Sequence, residues 1–259
     1  APDMNTAEEE MGWFAKKNGN MKSCTGKPKK MGGLPHELGS TGFGIFHSLL
    51  VALSFAKLNM HQVTVAIEGF GNVGWFVAKH LSDHGIKIVA VSDSRGVLYC
   101  KDGIDFKMLA DVKEKKGTVT AYPHGKVLPG NEILDIRADI LVTAALPDLI
   151  KESDINRLNF SMIVEGSNIP MTPAVEELLY KKHIFVVPDF VANAGGVISS
   201  YVEYIKGSEK KMFEMVEKKI KENTREVLSL SQRKKIMPRD AAMELAVKRV
   251  RKYCKVCRI

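Results

Sequence analysis

The sequence predicts an α/β fold, a doubly wound and mostly parallel sheet with additional helices at its C-terminal end. Three observations predict it. Short apolar, β-branched runs recur along the first two thirds of the chain, as buried parallel strands require. Segments of helical periodicity separate them. Beyond Asn193 only helical periodicity remains.

In chain order, Thr6 to Lys17 reads as an amphipathic helix, with Thr6 as its cap and glutamates in its first turn. Gly19 to Gly39, rich in glycine, lysine and proline, reads as a loop. Ser40 to Leu58 is helical, with Ile45, Leu49, Ala52 and Phe55 facing the core. Val63–Ile67 is the first strand, Val73–His84 a helix, and Lys87–Ser92 the second strand after a turn at Gly85. Val97–Tyr99 suggests a short extra strand, and Phe106–Lys116 a helix. Asp139–Thr143, Met162–Val164 and Ile184–Val187 are further strands with short helices between them. Phe213, Val216, Ile220, Val227 and Leu230 form one apolar stripe. A last helix starts at Pro238 and runs through Met243, Val247, Val250 and Cys254.

The 259 residues suit one large domain, or one domain with appendages. No apolar run is long enough to span a bilayer. Residues 1–10 are acidic and lack the apolar core of a signal peptide. Four cysteines in such a chain do not make a disulfide scaffold, so a cytosolic location is the simplest reading. The net charge of +8 is concentrated after residue 204, where 17 basic residues face 7 acidic ones. Glutamates alternate with these bases and no aromatic platform accompanies them. Solvated helix faces explain the excess better than nucleic-acid binding does. Cys254 and Cys257 form C-x-x-C, but Cys24 and Cys100 stand apart and the histidines do not cluster, so no metal site is read.

The local signal that points to chemistry is VTVAIEGFGNVG, Val63–Gly74. Gly69, Gly71 and Gly74 form G-x-G-x-x-G after a strand and at the start of a helix, the fingerprint of a Rossmann dinucleotide site. In that pattern the first glycine permits the tight turn, the second admits a pyrophosphate against the backbone, and the third lets the helix pack on the strand. The helix N-terminus then offers N–H groups to phosphate. Asp93 ends the second strand, at the distance expected for a carboxylate that binds the adenosine ribose, which favours NAD. Ser94 and Arg95 follow at once and could hold the 2′-phosphate of NADP, so the choice stays open.

VAIEGFGNVG is very similar to the cofactor loop of the glutamate dehydrogenases within the Glu/Leu/Phe/Val amino-acid dehydrogenase family. APDMNT at Ala1–Thr6, GSTGFG at Gly39–Gly44, GSNIPMTP at Gly166–Pro173 and PDFVANAGGVISSYVEY at Pro188–Tyr204 resemble further family segments, in family order. The resemblance covers essentially the whole chain and identifies it as the C-terminal, cofactor-binding portion. It implies NAD(P)-dependent, reversible oxidative deamination of L-glutamate to 2-oxoglutarate and ammonium.

Residue by residue, the resemblance makes Asp3 the catalytic aspartate, moving a proton as ammonia adds or leaves. Thr41 would hydrogen-bond the nicotinamide carboxamide. Gly69, Gly71, Asn72, Val73 and Gly74 would hold the pyrophosphate, and Asp93 and Ser94 the adenosine ribose. Ala144 and Ala145 would line the cleft. Asn168 would meet the nicotinamide ribose and Asn193 the nicotinamide amide. Ser200 matches the serine that holds the side-chain carboxylate of glutamate, a hydroxyl that penalises an apolar side chain. For the asparagines the plain alternative is a turn or cap, and for Asp3 a helix-initiating residue.

The implied organisation is a helix and loop over residues 1–39 leading from a substrate domain, a Rossmann domain over 40–204, and C-terminal helices over 205–259 that pack back toward the substrate domain. The family's preceding domain carries its catalytic lysine, so this chain alone is expected to bind cofactor and to catalyse poorly. Substrate alignment of that kind contributes about 7–11 kcal/mol. The resemblance also implies a homo-oligomer at full length, with no membrane or nucleic-acid partner. Phe43 stands where many relatives have arginine, and Ile169 and Met171 replace smaller residues. Two other readings remain, a dehydrogenase of a branched or aromatic amino acid and a non-catalytic dinucleotide-sensing module.

Overall fold

The computed structural model describes residues 1–3 and 6–254. Its centre is a seven-stranded sheet. In chain order the strands are β1 (Thr64–Glu68), β2 (Lys87–Asp93), β3 (Gly96–Tyr99), β4 (Lys126–Leu128), β5 (Ile140–Thr143), β6 (Met162–Glu165) and β7 (Phe185–Val187). The spatial order is β4-β3-β2-β1-β5-β6-β7. β1 pairs in parallel with both β2 and β5, and β5-β6-β7 continue in parallel. β3 and β4 form the antiparallel extension at one edge. The chain leaves β1 toward β2 and later returns to β5 on its other side. The order of strands therefore reverses between β1 and β5, where α/β sheets open a crevice at their C-terminal ends.

The helices are α1 (Glu8–Asn18), α2 (Ser40–Ala56), α3 (Asn72–Asp83), α4 (Phe106–Lys116), α5 (Pro173–Lys181), α6 (Asp189–Ala192), α7 (Gly195–Tyr204), α8 (Glu209–Lys234) and α9 (Pro238–Tyr253). Successive strand residues face opposite layers. Val65, Ile67, Ile140, Val142, Met162 and Val164 join Ile45, Leu49, Leu81 and Leu228 of the helices on one face. Ala66, Leu141 and Ile163 join Ile133, Phe160, Val175 and Leu179 on the other. α8 lies along α2 and α7, and α9 lies on α8 and β7. Val216 and Ile220 of α8 pack with Leu34 and Val202 in a third cluster.

Several local expectations need correction. Thr6 does not cap α1. Its hydroxyl is taken by the backbone of Asp3, accepting from the N–H at 2.8 Å and donating to the carbonyl at 2.9 Å. The cap position falls on Ala7, whose N–H is satisfied by Glu10 at 2.8 Å. α1 buries Gly12 and Ala15 and leaves Trp13 and Phe14 exposed, so its aromatic residues do not form its core face. In α9 the core contact is made by Ala241 and Ala242, while Met243 and Val250 are exposed. β4 was not anticipated. Cys24 and Cys100 are free thiols, and Cys257 lies outside the described residues. Among the described residues no helix is long and apolar enough to cross a membrane, and no group of His, Cys, Asp or Glu is placed to hold a metal.

Candidate functional site

The glycine loop sits at the reversal of strand order. Gly69 follows β1 with φ +92°, a backbone region that side chains rarely tolerate. A Cβ there would lie 2.6 Å from Cβ of Ala145, so the loop rests directly on the turn after β5. A Cβ at Gly74 would lie 1.9 Å from the Gly69 carbonyl oxygen, which is how α3 comes so close to β1. Gly71 differs from both. Its φ of −83° and ψ of −160° suit any residue, and a Cβ there would meet nothing within 4 Å. What it keeps clear is open space at the N-terminus of α3, beside Asn72 and Val73. A pyrophosphate fits that cradle, and the helix N-terminus favours its charge. The Asn72 side chain is tied by Nδ2 to the His36 carbonyl at 3.0 Å.

Beneath the loop, Glu68 is buried and accepts the backbone N–H groups of Ala144, Ala145 and Leu146 at 3.1, 3.0 and 3.3 Å. Burial raises its pKa against the pull of those three donors. Ala144 and Ala145 thus form the second wall of the cleft, latched to the strand that carries the glycines.

Asp93 is placed at the end of β2, but its carboxylate is already filled. Oδ1 accepts from Arg95 N at 2.9 Å and Thr118 Oγ1 at 3.2 Å. Oδ2 accepts from Lys113 Nζ at 2.7 Å and Val119 N at 2.8 Å. Burial opposes its charge, yet Lys113 and the backbone donors outweigh burial and hold the pKa below the usual carboxylate range. A ribose hydroxyl would have to displace one of these donors. Ser94 and Arg95 are exposed in the tight turn between β2 and β3.

The residues assigned to the other end of the cofactor lie together. Asn193 Nδ2 donates to Asn168 Oδ1 at 2.8 Å and to the Gly166 carbonyl at 3.3 Å. A Cβ on Gly195 would fall 2.1 Å from the Ser40 carbonyl oxygen, and one on Gly196 3.0 Å from Thr41 Oγ1. The first turns of α2 and α7 therefore touch, which brings Thr41 beside the Asn193 segment.

Ser200, further along α7, accepts a hydrogen bond from Thr25 Oγ1 at 2.9 Å, and its own proton has no acceptor among the described residues. One turn on, Glu203 is buried. It pairs with Lys27 and accepts Gly26 N at 2.8 Å and Leu34 N at 2.7 Å. The Pro2 ring lies where a side chain on Gly26 would be, so Asp3 is carried to the same end of α7. Sequence reasoning read residues 19–39 as a loop and missed Thr25, Lys27 and Glu203. A buried-type pair separated by 176 positions leaves no local pattern. The cluster of lysine and glycine around Gly26 was the one available signal.

Residues 32–256 match the family described as Glutamate/Leucine/Phenylalanine/Valine dehydrogenase. The chain belongs to this family. It is 40% identical to glutamate dehydrogenase of Aeropyrum pernix, over 96% of this chain and 64% of that protein. It is 39% identical to an NADP-specific glutamate dehydrogenase of Saccharolobus shibatae, over 79% of this chain and 50% of that one. The structure superposes on hetero-hexameric glutamate dehydrogenase from Thermus thermophilus with TM-score 0.88 and 25% identity, covering 98% of this chain and 63% of that one. The chain thus spans less than two thirds of the relatives it matches.

Proposed function

We propose that this chain binds a nicotinamide dinucleotide and forms the cofactor-binding part of a dehydrogenase that interconverts L-glutamate with 2-oxoglutarate and ammonium. The observation that carries this reading is the cleft between Gly69–Gly74 and Ala144–Ala145, packed behind by contacts that a Cβ at Gly69 or Gly74 would break, and open at Gly71. When bound, the nicotinamide supplies the hydride chemistry. The chain's own residues orient it, with Thr41 and the Asn168–Asn193 pair at one end and the α3 N-terminus at the pyrophosphate. Asp3 holds the proton exchanged with the substrate nitrogen. The Thr25–Ser200 hydroxyl pair favours an acidic substrate side chain over an apolar one, because an apolar group would leave the Ser200 proton without an acceptor.

Within this reading the adenosine end favours NADP. Asp93 is neutralised by Lys113, and Ser94 and Arg95 are exposed beside it, so a 2′-phosphate meets cationic and hydroxyl groups where a bare ribose finds no free carboxylate. Titration of the chain with NADPH and NADH, followed by cofactor fluorescence, tests both levels. NADPH should bind more tightly, and Lys113→Ala should narrow the difference. Tighter NADH binding would refute the preference, and binding of neither would refute the cofactor reading. The assembly named for the Thermus thermophilus structure leads us to propose oligomerisation for the whole protein as well.

A further inference from the structure

Three carboxylates meet one guanidinium behind the Asn168–Asn193 pair. Glu165 ends β6 and is 0% exposed; Glu176 lies on α5 and Asp189 opens α6, both buried. Arg239 reaches them from the first turn of α9. Its Nη2 donates to Glu165 Oε2 at 2.8 Å and to Asp189 Oδ1 at 3.0 Å, and its Nε to Glu176 Oε1 at 2.5 Å. Glu165 Oε2 also accepts Asp189 N at 2.8 Å, while Glu165 Oε1 is buried and finds no donor among the described residues. A cluster of three acids around one base, with an orphaned oxygen, is a costly arrangement to bury. Burial and the facing Glu176 carboxylate push Glu165 up to about 8.

One carboxylate oxygen points away from the cluster. Asp189 Oδ2 accepts the backbone N–H of Ile169 at 2.9 Å. Ile169 has φ +48°, the left-handed region that a β-branched residue rarely enters. Its carbonyl is held from the other side by Asp148 N at 2.9 Å. The preceding residue is Asn168, whose side chain receives Asn193. Nothing in Ile169 itself favours this turn, so its surroundings impose it; Asp189 Oδ1, besides accepting the Phe190 N–H at 2.9 Å, is held by Arg239, the one of these contacts that comes from another layer of the fold.

We propose that Arg239 is a positioning residue for the cofactor: by fixing Asp189 it holds Ile169 in its left-handed turn, and so holds Asn168 against Asn193 at the nicotinamide end of the cleft. The proposal rests on the dinucleotide reading above. It couples the C-terminal helix α9, which contributes no residue to the cleft, to the half of the cofactor farthest from the adenosine.

The test uses the whole chain and two classes of probe, measured by titration calorimetry. NADH and NADPH engage both ends of the cleft; ADP and 2′,5′-ADP engage only the adenosine half. Arg239→Gln should weaken the reduced dinucleotides on the order of tenfold and change the adenosine-half probes by less than about twofold. Arg239→Lys should fall between wild type and Arg239→Gln. Adding Ile169→Gly to Arg239→Gln should restore dinucleotide affinity, because glycine enters the left-handed turn without being held there. If Arg239→Gln does not fold, Arg239→Lys with and without Ile169→Gly carries the same comparison. Loss of both probe classes alike, loss of neither, or no rescue by Ile169→Gly would overturn the proposal while leaving the dinucleotide reading intact. A wild-type chain that binds neither class would refute that reading and this proposal with it.

Discussion

Gly71→Ala and Gly74→Ala should separate a glycine kept for a ligand from a glycine kept for packing. At Gly71 the backbone is in an ordinary extended region, and the new methyl group would meet nothing within 4 Å. Folding should therefore not suffer. The unfolded chain loses freedom when glycine becomes alanine, so stability should rise by about 0.4–1 kcal/mol. The same methyl group fills the space that a phosphate must enter to reach the α3 N-terminus. NADH and NADPH affinity should fall by about tenfold or more, roughly 1.4 kcal/mol. At Gly74 the methyl group would sit 1.9 Å from the Gly69 carbonyl oxygen, a backbone atom that cannot swing aside. Overpacking of that kind costs about 1–3 kcal/mol, and binding should be lost together with stability. Urea denaturation and cofactor fluorescence on the two variants decide the matter. If Gly71→Ala binds both dinucleotides as wild type does, no phosphate lies against Gly71 and the assignment of the loop is wrong.

Other perturbations have equally definite outcomes. Lys27→Met removes the cation from the buried Glu203 carboxylate, which should cost about 3–5 kcal/mol and lower Tm by roughly 10 °C in a scanning melt. His47 and His80 pack edge-on to Phe43 and are held neutral, each with its pKa lowered to about 4, chiefly by burial. Unfolded histidines take up protons below about 6.5, so stability should be lost as pH falls from there toward 4, by about 1–2 kcal/mol each after allowance for solvent screening. His47→Phe should remove part of that acid sensitivity in denaturation curves taken at pH 7 and 5. Glu165 has the opposite sign. Its folded pKa of about 8 lies above the ordinary carboxylate value, so its contribution is lost as pH rises between them. Glu165→Gln removes the titrating group and should flatten stability over pH 5 to 8; an unchanged slope would show that another group takes up the proton.

The sheet was legible because buried parallel strands announce themselves. β1, β5 and β6 are short, apolar and β-branched, and glycine follows β1 and β6 at once, at Gly69 and Gly166. β4 was not, since Lys126 and Val127 are exposed and an edge strand has no buried face to impose alternation. The α9 stripe misled for a related reason: two alanines fill the closest approach, Leu245 packs beside them, and Met243 and Val250 face out. Thr6 had a competing backbone partner in Asp3, which a capping rule does not weigh. At the candidate site, the glycine spacing encodes local backbone geometry and is readable within a dozen residues. The environment of Asp93 is set by Lys113, Thr118 and Val119, 20 to 26 positions away, and that of Glu165 by Arg239, 74 positions away. Spacing locates such carboxylates, but only the fold decides what fills them.

Both borders of the sheet share a design. β4 and β7 are three residues long, and each is followed at once by a proline, Pro129 and Pro188. A strand this brief offers few unpaired backbone groups, and the proline that follows it has no N–H of its own to extend the ladder. Both features work against edge-to-edge pairing between molecules at the two borders. The sheet's short borders thus leave its long central strands, β1 and β2 among them, to carry the cleft above them.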